Sequence, residues 1–392
     1  MSRFGIASRL LPLSVRKRVA GAAVRVRTEA MGRRPRLTAP PPGSVILAGF
    51  TQEGFGIGRA GRYTRDGLRD AGATVASVDL RALLAGRAGL DALPPGGVLV
   101  VHANPPEALA ALSRLPREAW RGRYLVGYWA YELERAPALW RRAVRVFDEV
   151  WVPSPFVAGA LPPDERVRVM PHPVPAAPVA PPPPGFVVGA AGDLASSATR
   201  KNLDGNVAAY LRAFPRPAPG VRLVVKVREA AGQGAALADL RERTRGREDV
   251  ALVTDRLDDA RTDALWAGLS VFLSAHRAEG YGLVLAECLA RGVPVLATGW
   301  SGNLAFMSEV PELLLPYDLV PMHDPAGIYH ARGARWAEPD IGAAARALAT
   351  MRADPAPARE AALAARATLA RQREAWIDAA RPLVVGAQSE AS

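Results

Sequence analysis

Ser274-Ala-His-Arg-Ala-Glu279-Gly-Tyr-Gly-Leu-Val-Leu-Ala-Glu287-Cys-Leu-Ala-Arg-Gly-Val-Pro-Val-Leu-Ala-Thr298 decides the reading of this chain. The apolar run Val271 to Leu273 feeds it as a strand, and a glycine-bearing loop, a helix and another strand follow. Gly280 and Gly282 let backbone amides approach a ligand closely. The helix is expected to open near Leu283, so its first free N–H groups face the loop and favour an anion. Glu279 and Glu287 stand one before the helix and one inside it. A carboxylate beside an anion site suits sugar or ribose hydroxyls, which donate the hydrogen bonds it accepts.

Outward from this stretch the same alternation recurs. Strands are expected at 44–50, 74–80, 98–103, 124–129, 149–153 and 167–170, with helices at 59–71, 106–115 and 133–147. The proline-rich run 171–184 forms neither a helix nor a central strand and serves as a stiff linker. Alternation restarts with strands at 186–191, 222–227 and 250–254 and helices at 203–214, 235–243 and 258–269, and the chain from Asp340 is alanine-rich and helical. Strand–helix alternation of this kind is α/β with parallel sheets. Five segments result: a basic segment 1–43, a first Rossmann-like domain 44–170, the linker 171–184, a second Rossmann-like domain 185–375, and a C-terminal helix and tail 376–392. Two Rossmann-like domains then face each other across a cleft, with ligands at the carboxyl ends of the strands.

Composition narrows the function. Of the 392 residues 49% are hydrophobic, which marks a globular chain long enough for two cores. The formal charge is +12, but residues 1–36 carry ten basic groups against one acid, a net +9, which leaves +3 for the rest. A near-neutral body needs no nucleic-acid groove. The head also carries Phe4, Leu10, Leu11, Leu13 and Val15, so it suits the surface of anionic lipid. A solvated N-terminus is the alternative. Arginines interrupt every apolar run, which argues against a signal peptide, and no run spans a membrane. The single cysteine, Cys288, lies in an apolar stretch, allows no disulfide framework, and fits a cytoplasmic setting. Only Lys17, Lys201 and Lys226 are lysines.

Glu279 to Thr298 resembles the signature of the retaining glycosyltransferases of the GT-B fold, group 1 (family four). Gly54-Phe-Gly-Ile-Gly58-Arg59 resembles that family's N-terminal glycine loop, Arg200-Lys201-Asn202 its phosphate-binding lysine, and Ser301-Gly302-Asn303 its glycine-rich loop. Gly127-Tyr-Trp-Ala-Tyr-Glu132 and Arg335-Trp-Ala-Glu-Pro-Asp340 are similar to a subset that builds bacterial surface polysaccharides.

The resemblance implies transfer of a sugar from a nucleotide-sugar to a glycan or lipid-linked acceptor, with neither metal nor cofactor, by front-face attack. It implies catalytic roles for Glu279, which would hold the donor sugar, and for His102. On the donor side it implies Gly56, Arg200, Lys201, Lys226, Gly280, Tyr281, Gly282, Leu283 and Glu287, the last on the ribose. Trp129, Tyr131 and Glu132 would stand on the acceptor side. His276 and Arg277 either line the site or merely end the strand. The chain departs from the family at Gly192-Asp193, where relatives often have arginine; Arg200 or Lys226 is the expected substitute.

Alternatives stay open. A glycosidase's acid and nucleophile pair is one, but on a shared helix the two carboxylates would stand about 12 Å apart, on different turns. An epimerase or phosphorylase on the same fold is another, and a non-catalytic nucleotide- or glycan-binding subunit a third.

Overall fold

The computed structural model describes residues 34–52, 56–90, 93, 95–228, 234–329, 331 and 333–388, with positions 19, 22, 26, 28, 29 and 31. Most of the basic head, and Gly54 of the glycine loop, lie outside these residues. Arg34 and Arg36, at the head's end, pair with Asp148 and Glu165 of the first domain.

The first half contains β1 (Val45–Gly49), α1 (Ile57–Asp70), β2 (Val75–Asp79), β3 (Val98–His102), β4 (Tyr124–Tyr128), β5 (Glu149–Val152) and β6 (Val167–Val169). The strands form one parallel sheet in the order β2-β1-β3-β4-β5-β6. The near-continuous apolar runs follow from helices covering both faces. In β3, Val98 and Val100 enter one core cluster while Leu99 and Val101 enter another on the opposite face.

The second half contains β7 (Phe186–Asp193), α2 (Ala198–Lys201), α3 (Leu203–Ala213), β8 (Val221–Arg228), β9 (Val250–Val253), α4 (Asp259–Ala267), β10 (Val271–Ser274), α5 (Leu283–Ala290), β11 (Val295–Thr298) and β12 (Leu314–Leu315). They form a second parallel sheet, β12-β11-β10-β7-β8-β9. The α/β organisation read from the alternation is therefore present. Strand order reverses direction between β1 and β3 in one sheet and between β7 and β10 in the other. At such switch points the neighbouring loops part and leave a crevice.

Three features depart from the sequence reading. The helix expected over 133–147 is confined to Ala138–Ala143, followed by a 3-10 turn at Val144–Val146. Pro137 holds the residue before it out of helical geometry. An antiparallel pair, β13 (Tyr317–Pro321) and β14 (Arg335–Pro339), was not foreseen, because β13 is largely exposed and shows no apolar alternation. Trp336 and Ala337 of β14 nonetheless pack into the first domain's core together with Ala278 and Trp300.

Finally, α6 (Ala356–Gln388) runs unbroken across the 375/376 boundary. Ala361, Ala362, Ala365 and Leu369 pack on the second domain, while Trp376, Ile377, Ala380, Leu383 and Val384 enter the first domain's core. The Trp376 ring stands edge-on to Trp151 at 5.5 Å. It also requires Gly67 of α1, where an added Cβ would lie 2.7 Å from the indole. Among the described residues no helix is long and apolar enough to cross a membrane.

Candidate functional site

Both switch points open onto one cleft. Its main cavity, about 400 Å³, is lined by His102 from the end of β3, Gly192 and Asp193 from the end of β7, Ser274 from the end of β10, and the loop Glu279 to Gly282. A second cavity of about 210 Å³ shares Gly56, Arg228 and Leu283 with it and reaches Lys226, Trp266 and Glu287. A further hollow, about 300 Å³, lies at the amino ends of β7 and β8 among Pro182, Gly220 and Met351, away from the strand ends where the carboxylates gather.

The Glu279 loop is held by close backbone contact. The Glu279 N–H donates to Ser301 Oγ at 2.9 Å, and the Gly302 N–H donates to the Glu279 carbonyl at 2.8 Å. A Cβ on Gly302 would lie 2.1 Å from the Gly280 carbonyl oxygen, so only glycine fits. Ser154 of the first domain donates to that same oxygen at 2.6 Å. Gly282 caps α5 with φ 89°, a left-handed conformation that glycine adopts freely.

Glu279 is 6% exposed. Lys201 Nζ bonds its Oε1, and Arg200 Nη1 lies 3.3 Å from its Oε2. Burial alone would raise its pKa, but Lys201, Arg200 and His276 together hold it down at about 2. Glu279 is therefore an acceptor-only anion at neutral pH. Arg200 itself is buried and donates to the Ala278 carbonyl at 2.7 Å, so it braces the loop from behind.

Glu287, one turn into α5, meets the first domain. Arg59 Nε lies 2.8 Å from its Oε1, Tyr63 donates to that oxygen at 3.0 Å, and Trp266 Nε1 donates to Oε2 at 3.1 Å. Arg59 also reaches Asp263 at 2.6 Å, and Arg62 reaches Asp259 at 2.7 Å. Burial pushes the Glu287 pKa up, and Arg59, Tyr63 and Arg291 pull it only part of the way back.

Cations surround the junction of the two cavities. Arg228 ends β8 in register with Asp193, and its Nη1 lies 3.1 Å from Asp193 Oδ2. Arg228, beside this departure, lines both cavities, while Arg200, one of the two expected substitutes, lines the main one. Lys226 lines the smaller one and donates to the Val227 carbonyl at 3.1 Å; burial lowers its pKa.

The acceptor-side expectations divide. Glu132 lines the cleft. Trp129 is wholly buried in the first domain's core against Trp140 and Phe147, so it does not reach the cavity. Tyr131 packs on Trp140 at 4.9 Å and presents its backbone to Gly280. His276, two residues beyond β10, is buried and bonded to Ser274 and the Trp300 carbonyl. Arg277 pairs with Glu338.

Residues 151–383 match the family described as family 4 glycosyltransferases in conflict systems. The chain belongs to that family. The match spans the whole second domain, the Glu279 loop and α5 included. No curated protein matches this sequence.

Solved structures give the fold. Sucrose-phosphate synthase from Thermosynechococcus elongatus superposes with a TM-score of 0.59 at 16% identity, covering 86% of this chain and 97% of that one. HepE from Anabaena, solved with UDP and glucose, gives 0.56 at 12% identity over 89% and 100%. A TarM variant from S. aureus, solved with UDP and α-GlcNAc-glycerol, gives 0.53 at 11% identity over 72% of this chain; the chain spans 54% of TarM. The glycosyltransferase has the GT-B fold.

Residues of this glycosyltransferase's cleft that escaped sequence reasoning include Arg228 and His172. Arg228 carries no motif and is found only through strand register. His172 lies inside the proline run and lines the main cavity. A histidine flanked by prolines, in a segment that must connect the two domains beside their cleft, was the available signal.

Proposed function

We propose that the chain is a retaining, metal-independent hexosyltransferase that moves a sugar from a nucleotide-sugar to a hydroxyl of a glycan or lipid-linked acceptor. The observation that carries this reading is the ionised, buried Glu279 beside Lys201 at the joint mouth of two sheets, next to the start of α5. The nucleoside would lie toward Lys226, Trp266 and Glu287, and the diphosphate between Lys201, Arg228 and the start of α5. Glu287 Oε2 retains capacity for a ribose hydroxyl, since a carboxylate oxygen accepts two hydrogen bonds. Glu279 would accept hydrogen bonds from the donor sugar.

In the reaction the bond between the anomeric carbon and the phosphate oxygen breaks. A bond to the acceptor oxygen forms on the same face, and the acceptor proton passes to the departing phosphate. The test has two stages. Nucleoside diphosphates and their sugars are screened by thermal shift, since selective stabilisation identifies the donor. The anomeric configuration of the product is then read by NMR, and an inverted product overturns the retaining assignment.

The acceptor reading is a cell-surface polysaccharide assembled at the cytoplasmic face of a membrane, with residues 1–36 against anionic lipid. Arg34 and Arg36 are engaged with the first domain, so that contact would fall on the residues before them. The family's description favours a second reading, in which the acceptor is a component of a conflict system. Transfer of labelled sugar to lipid extract versus soluble macromolecule separates the two.

A further inference from the structure

One end of the main cavity gathers buried polar atoms that have no protein partner. His102, at the end of β3, is 3% exposed, and His172, in the connecting segment, is 6% exposed. Their ring centroids are 6.0 Å apart, and Tyr128 stands beside both, at 4.5 Å from His102 and 5.1 Å from His172. Tyr281, from the Glu279 loop, meets the His172 ring edge-on at 5.0 Å. The Tyr128 hydroxyl donates to the Met170 carbonyl at 2.6 Å. Both ring nitrogens of His102, Nδ1 of His172 and the hydroxyl of Tyr281 bond to no described protein group. The tryptophan N–H groups that share this condition, on Trp120, Trp129 and Trp376, line neither part of the cleft.

A buried polar atom without a partner lowers stability unless water or a ligand meets it. Here several such atoms face one space. Burial also sets their chemistry. It lowers the His102 pKa to about 4, with only its own backbone pulling upward, and it holds that of His172 well below the ordinary range, with help from His102. Both imidazoles are therefore neutral near pH 7, and each offers one donor and one acceptor. Hydroxyls, which both donate and accept, match this set. A phosphate or carboxylate only accepts hydrogen bonds, so it would leave the acceptor nitrogen of each neutral ring unmet.

We propose that His102 and His172 form a subsite for the hydroxyls of an uncharged sugar ring, with His172 as the specificity-determining residue supplied by the interdomain segment. This rests on the glycosyltransferase reading above. His172 touches Tyr281 of the donor loop and Tyr128 of the first sheet, so sugar capture and domain approach act on one side chain. The sugar is either the donor's own or the acceptor's, and both present the same hydroxyl chemistry.

The test is calorimetric titration of the full-length chain and its His172→Phe and His172→Asn variants. The ligands are UDP, then UDP-glucose and UDP-N-acetylglucosamine, then each free sugar added to UDP-saturated protein. Phenylalanine keeps the ring contacts and removes the unpartnered nitrogen, so His172→Phe should unfold at no lower temperature than the parent. It should bind UDP unchanged and lose about tenfold in sugar affinity, the effect of one neutral hydrogen bond. Asparagine should recover part of the loss, which a purely structural role would not allow.

A loss confined to UDP-sugars places the donor's ring on the pair, and a loss confined to free sugars places the acceptor's. Sugar affinities that match the parent overturn the proposal, as does a parent protein that binds UDP but neither sugar. If His172→Phe does not fold, His102→Phe is titrated in the same way. Failure of the parent to bind any nucleoside diphosphate in the thermal-shift screen removes the nucleotide-sugar reading, and this inference with it; where another diphosphate binds, it and its sugars replace UDP and the UDP-sugars in the titration.

Discussion

Arg59 and Glu287 meet across the domain boundary: Arg59 Nε lies 2.8 Å from Glu287 Oε1, and both side chains are almost fully buried. They are 228 residues apart in sequence, one on the first helix of the first domain and one inside the family signature. Removing one partner of a buried pair strands the other charge and costs about 3–5 kcal/mol. Arg59→Met is therefore expected to lower stability by that order in urea unfolding. The double variant Arg59→Met, Glu287→Met should recover most of it, because a packed apolar pair needs no desolvation of charge. An additive double variant would contradict the pairing.

Glu279→Ala is expected to reduce sugar transfer by at least about 100-fold, the scale of losing one positioned electrostatic contact. Binding of the nucleoside diphosphate should persist, because Lys201 and Arg228 remain. Turnover equal to the parent's would remove Glu279 from the chemistry.

Arg228→Ala tests the charge that stands by Asp193. It should weaken binding of a nucleoside diphosphate by about tenfold or more and leave the nucleoside itself unaffected, as removal of a charge-assisted contact requires. Equal losses for both ligands would show that Arg228 acts on the base or ribose.

Acid should unfold the protein in two stages. Burial lowers the His102 pKa from 6.5 to about 4 in the folded chain. Between those values the unfolded chain binds a proton that the folded chain refuses, so stability falls as pH falls through this window, by on the order of 3 kcal/mol. Glu279 acts lower down. Its folded pKa of about 2 lies below the ordinary 4.5, so its contribution is full above 4.5 and is lost as pH falls toward 2. Urea midpoints measured from pH 8 to pH 4 should drop less steeply for His102→Phe than for the parent. Parallel profiles would contradict the assignment.

What the sequence disclosed, and what it withheld, follows from the kind of signal each residue carries. Strands such as Val98–His102 are legible because a sheet covered on both faces needs an unbroken apolar run. Glu279 and Glu287 are legible because glycines and a short apolar helix frame them. Periodicity says that Trp129 belongs to the end of a strand, but not whether its ring turns to the cleft or to Trp140 and Phe147. It also says nothing of pairings made by tertiary packing. Arg228 opposite Asp193, Arg59 against Glu287, and Trp336 seated in the other domain's core each join segments far apart in the chain. His172 was hidden by its neighbours, since a proline run reads as a spacer until the path of that spacer past the cavity is known.

The route of α6 bears on how the molecule is made. Trp376, Ile377, Ala380, Leu383 and Val384, which leave the ribosome well after β6, close a core whose other members were synthesised first. The first domain must therefore wait, with an apolar face uncovered, until α6 returns to it. During that interval it is open to association with other nascent chains. Expression of residues 44–170 alone would prolong the exposure indefinitely.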